Sequence, residues 1–154
     1  MAESKSGLLE ALRELKEKEA KSGVDWDVRK KAWLVDVHRL ISSIEAWLKP
    51  GEDEKLLSVR RIPITISEQH LGSYDVPSLR VEMPGSREVL ISPVGTLVIG
   101  AAGRVDMTSG PRLAMILRAD DGKWNLRVGK SGTGADFVAV SQETFEEALR
   151  ELIQ

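Results

Sequence analysis

A seven-residue apolar repeat, Trp26, Trp33, Leu40 and Trp47, runs through the first third of this 154-residue chain and stops before Pro50-Gly51. Residues seven apart share one side of an α-helix but alternate between the two faces of a strand, so the repeat predicts one long amphipathic helix. Val37 and Ile44 lie between its members, and Ile41 and Leu48 widen the stripe. Asp25 or Asp27 can start the helix by accepting its first orphan amides. Pro50-Gly51-Glu52-Asp53 is expected to end it, because proline cannot donate a helical bond and crowds the preceding turn. Ahead of it lies a shorter helix, closed at Ser22-Gly23, in which Leu8, Leu12 and Leu15 form a stripe with Leu9 beside it. Stripes of this kind either cover a domain interior or form a seam with another chain, and tryptophan suits both. Trp26, Trp33, Leu8, Leu12 and Leu15 are therefore the candidate partner-binding residues, toward another protein or a second copy of this one.

Past Asp53 the apolar period drops from helical to two. Ile62, Ile64 and Ile66 alternate with polar neighbours in "LLSVRRIPITIS", and Pro63 marks that strand as an edge because it has no amide to give a ladder. "SLRVEM" and "REVLIS" flank the turn dipeptide Pro84-Gly85, and "TLVIG", "RVDMT", "RLAMILRA" and "KWNLRV" follow with Gly-containing turns between them. Returns this short join antiparallel neighbours. His70 and Tyr74 are placed in a loop after the first strand. The chain closes with the short strand "DFVAV" and a helix capped at Ser141, with Phe145, Ala148, Leu149 and Leu152 as its apolar stripe. The expected fold is α+β: an N-terminal helical hairpin or arm, an antiparallel meander of about six or seven strands, and a C-terminal helix. Residues 1–50 and 51–154 are expected to make one structural unit.

A chain of this length can bury a core without staples, and its zero cysteines exclude disulfides, thiolate nucleophiles and sulfur-ligated zinc. No apolar run has bilayer length, and the N-terminus lacks the pattern of a secretory signal. A soluble, cytoplasmic protein without membrane attachment is expected. Net charge is -2, but it is uneven: residues 55–130 carry 11 basic and 7 acidic side chains, and residues 131–154 carry 1 and 5.

"GTLVIGAAGRVDM", Gly95 to Met107, has the glycine spacing of a phosphate loop, but alanines stand where the lysine and hydroxyl would have to be. A strand-like segment follows instead of the helix that a dinucleotide site requires, so the stretch is expected to be two strands and a turn. The two histidines, His38 and His70, have no metal-binding spacing, and Asp120-Asp121-Gly122 is a turn signature. No catalytic set, metal site or cofactor site is assigned. Strand alternation places Arg61, Arg80, Arg104, Arg112, Arg118 and Arg127 opposite the expected core, with Glu82 and Asp106 partly neutralising them. One such face could hold phosphates or carboxylates. The leading expectation is a non-catalytic interaction or regulatory protein that binds a partner, or itself, through the N-terminal helices. Nucleic-acid binding on the arginine face is the alternative.

Overall fold

The computed structural model describes residues 2–21, 25–96, 101–128 and 136–154. Two helices, α1 (Ala2–Lys21) and α2 (Trp26–Asp53), precede seven strands. These are β1 (Ser58–Glu68), β2 (Gly72–Met83), β3 (Arg87–Gly95), β4 (Arg104–Ser109), β5 (Arg112–Arg118), β6 (Trp124–Val128) and β7 (Asp136–Ala139), followed by α3 (Gln142–Ile153). The strands form one sheet in chain order, every neighbour antiparallel, which is the α+β meander expected from the sequence.

Asp25 starts α2: its Oδ1 accepts from the amides of Asp27 and Val28 at 3.1 and 3.2 Å. The repeat then buries Trp33, Val37, Leu40, Ile41, Ile44 and Leu48. Pro50 does not end this helix, which runs on to Asp53. The stop is set by the bonding beyond it. Lys55 takes a left-handed conformation (φ 60), its amide donates to Glu52 O, and the Leu56 amide donates to Gly51 O, both at 2.9 Å. These two crossed bonds satisfy the last carbonyls. Gly51 leaves room for the Leu57 side chain, whose Cδ2 would stand 2.8 Å from a Cβ there.

In the β1–β2 hairpin, Pro63 and Pro77 face each other in register. Both are tolerated for one reason. β1 is the sheet edge, and β2 pairs with β3 only from Leu79 to Met83, so neither proline faces a ladder it would have to donate into. The distal half of the hairpin is therefore a two-stranded ribbon, free to twist more than the rest of the sheet. The inward set changes along it, from Leu79 and Val81 near the sheet to Tyr74, Val76 and Ser78 farther out. Tyr74, expected in a loop, is a buried β2 residue whose hydroxyl accepts from Trp33 Nε1 at 3.0 Å.

One sheet face is covered, by α2 over β1 and β2 and by α3 over β3 to β6. Leu79, Val81, Val89, Ile91, Val105, Met107, Ile116 and Leu126 meet the two helices there in a single core. Ser141 and Thr144 cap α3 reciprocally, and α3 buries Phe145, Ala148, Leu149 and Leu152 as expected. The rings of Trp47 and Phe145, 5.5 Å apart, join α2 to α3.

Candidate functional site

Three of the five candidate partner-binding residues lie on α1. Leu8, Leu9, Leu12 and Leu15 are between 52 and 63% exposed, so the helix presents its apolar stripe to solvent. Around Gly7 nothing stands within 4 Å of where a Cβ would be. Trp33 has the opposite fate: it is wholly buried, and therefore belongs to the core and not to a surface seam. Trp26 is partly buried and engaged within the chain, stacked on His70 at 4.4 Å with Arg29 also over its ring. Beside it a cleft of about 540 Å³ is lined by Trp26, Arg29, Leu71, Thr96, Arg118 and Asp120. Among the described residues, no three His, Cys, Asp or Glu side chains group as metal ligands do.

The single arginine face expected from alternation does not form. Arg61, Arg112 and Arg118 lie on the helix-covered side, where Arg61 Nε donates to Glu45 Oε1 at 2.8 Å and Arg112 NH1 donates to the Glu151 carbonyl at 2.8 Å. Arg118 holds Asp36 Oδ2 through Nε and NH2 at 2.8 and 2.7 Å and the Ala102 carbonyl through NH1 at 3.0 Å. Arg80, Arg104 and Arg127 lie on the outer side. There Arg80 Nε bonds Glu88 at 2.8 Å, and Arg104 grips Asp106 with two bonds of 2.6 and 2.9 Å. The bonds to Glu45, Glu88 and Asp106 hold the guanidinium groups of Arg61, Arg80 and Arg104 still more firmly charged than usual. Alternation fails at β5 because "RLAMILR" is apolar at both parities. Register sets Ala114 and Ile116 inward, which carries Arg112 and Arg118 inward with them.

The same register exposes a surface that the sequence reading missed. Leu113, Met115 and Leu117 of β5 point outward, across from Thr108, Asp106 and Arg104 of β4. Leu90 and Val94 of β3 and Phe137 of β7 share this side, and with Leu113 they are 40 to 51% exposed. Neither α2 nor α3 covers it. The signal was present in β5, since a strand apolar on successive residues is the pattern of one buried on both faces.

A polar network ties the hairpin tip to the end of β3. Glu68 accepts from the Tyr74 hydroxyl, and its Oε1 accepts from Thr96 N and Oγ1 at 2.7 and 3.0 Å. Gly95 leaves room for that carboxylate, 2.7 Å from where its Cβ would be. At both described ends of the "GTLVIGAAGRVDM" stretch a glycine permits close packing, Gly95 against Glu68 and Gly103 against the Trp33 ring; residues 97–100, expected as strand and turn, lie outside the described residues. Burial, and then the bond to Glu68, raises the Tyr74 pKa well above the ordinary tyrosine value, while the bond from Trp33 acts in the opposite sense.

Tyr74 is the single tyrosine, so phenolate absorbance reports on it alone. The folded chain should show no phenolate near pH 10 to 11, roughly where a free tyrosine titrates. Above about pH 10 the unfolded chain loses this proton and the folded chain keeps it, so stability falls with pH by up to about 1.4 kcal/mol per unit. Tyr74→Phe should remove that dependence from urea midpoints measured between about pH 9 and 11; an unchanged slope would contradict the assignment.

No helix among the described residues is long and apolar enough to cross a membrane. Compared with protein-family models, with curated proteins and with solved structures, the chain matches none.

Proposed function

We propose that this is a cytoplasmic, non-catalytic interaction protein that assembles with protein, itself included, through α1. The observation that carries this reading is the leucine stripe Leu8, Leu9, Leu12 and Leu15, more than half exposed on every member. An isolated helix of this length is marginal in water, and most helical stability in proteins comes from packing an amphipathic face. Contiguous apolar patches larger than a few hundred Å² are rare on monomeric proteins and mark interaction sites. α1 is thus an association element whose packing partner lies outside its own folded body.

Sedimentation equilibrium on the full chain should show self-association that strengthens with concentration. Leu12→Lys should weaken it by roughly tenfold or more, the effect of losing one buried leucine, at about 1.5–3 kcal/mol. The thermal midpoint of the body should hardly change, because Leu12 adds nothing to the core. A chain that stays monomeric at every concentration, with α1 still helical by circular dichroism, would sink the self-association reading.

A further inference from the structure

Among the described residues, the α1 stripe and the outer face of β3 to β7 both stand apolar and uncovered. We propose that they cover one another between two copies, α1 of each lying across Leu90, Leu113, Met115 and Leu117 of the other. This rests on α1 being an association element, as proposed above, and adds the surface that receives it.

The receiving face has the chemistry for an apolar helix. β5 is apolar at both parities, a pattern that calls for cover on both sides, yet α3 supplies only one. The charges nearest its centre are already matched. Arg104 and Asp106, beside Leu117 and Met115, bind each other through two bonds and are 28 and 20% exposed. A helix laid over them would bury a neutral pair instead of a lone charge, which is the tolerable case.

Chain length disfavours the copy's own face. Three residues separate Lys21 from Asp25, where α2 begins on the covered side. Fully extended, Lys21 to Asp25 spans about 14 Å. Layers pack roughly 10 Å apart, so helices on opposite faces of one sheet lie on the order of 20 Å apart. α1 therefore reaches a neighbour's outer face more readily than its own.

Size favours a reciprocal exchange. A standard interface uses about 20–30 residues a side and buries around 1,600 Å² in total. One helix on one sheet face engages roughly half that number, short of what a stable complex needs. Exchange in both directions doubles it and gives a closed two-fold pair in which both copies use the same two surfaces.

The test uses the full chain and its lack of cysteine. Leu113→Lys and Leu90→Lys, both at positions already exposed in the single chain, should each weaken self-association at least tenfold by sedimentation while leaving the melting transition in place. A copy carrying Leu12→Cys mixed with a separately tagged copy carrying Leu113→Cys should form a disulfide between the two tags. If both sheet variants associate like the parent while Leu12→Lys does not, α1 meets something other than this face and the inference is overturned, with the role of α1 intact. Disulfides formed by Leu12→Cys alone, through α1 meeting α1, would overturn it equally. A parent chain that never self-associates removes both the inference and the self-association on which it rests.

Discussion

Trp33→Ala is expected to destabilise the folded chain by about 4 kcal/mol, the upper range for removing a buried aromatic side chain. The indole is wholly buried, donates to the Tyr74 hydroxyl at 3.0 Å, and lies 5.9 Å from the Trp124 ring. Its loss opens a cavity where α2, the hairpin ribbon and the end of the sheet meet. Gly103 is the other half of this contact. A Cβ there would come 2.3 Å from Trp33 Cζ3 and 2.8 Å from Cε3. The ring is held on its other sides and cannot swing away, so Gly103→Ala should cost roughly 3 kcal/mol by overpacking. The double variant should cost clearly less than the two singles together, because the new methyl occupies part of the space the indole leaves. Urea denaturation of the three variants reads this directly. Additive effects would show that Gly103 is not shaped by Trp33.

Arg118→Met should cost about 3 kcal/mol, because it strands Asp36 against the body of the protein without its counter-ion. The two side chains are 11 and 21% exposed, and Arg118 also serves the Ala102 carbonyl and lies 5.8 Å from the Trp33 ring. Combining it with Asp36→Leu should recover a substantial part of the loss, since an apolar pair often replaces a buried ion pair at little cost. Denaturation midpoints of the single and double variants decide between this and a simple surface pair. If Arg118→Met changed stability by less than about 0.5 kcal/mol, as surface substitutions do, the bridge would be no part of the core.

Much of the fold is legible in short stretches. The repeat from Trp26 to Trp47 specifies α2, its start narrows to Asp25 or Asp27, of which the structure uses Asp25, Ser141 caps α3, and the glycine turns set the antiparallel order. The errors share one cause. Pro50 reads as a helix stop, yet the crossed bonds of Lys55 and Leu56 decide where the helix ends. Tyr74 reads as loop because Pro77 interrupts its pattern, and the proline is harmless where β2 has no neighbour on that side. Arg112 and Arg118 read as outward because β5 is apolar at both parities, so alternation carries no sign there. The candidate site was half visible: the α1 leucines stand out in the sequence, whereas the bare sheet face needed the register of β5 against β4.

Sequence alone therefore determined most of the elements, the starts of α2 and α3 and the antiparallel meander, because period and turn chemistry belong to residues within a few positions of each other. The tertiary structure decided which tryptophan is core, which arginines are inward and which apolar face stays bare. Those outcomes depend on partners 41 residues apart, as in Trp33 with Tyr74, and 82 apart, as in Asp36 with Arg118. Only packing and register bring such groups together, and no local pattern encodes the twist that turns one ribbon over α2 while leaving the far side of the sheet uncovered.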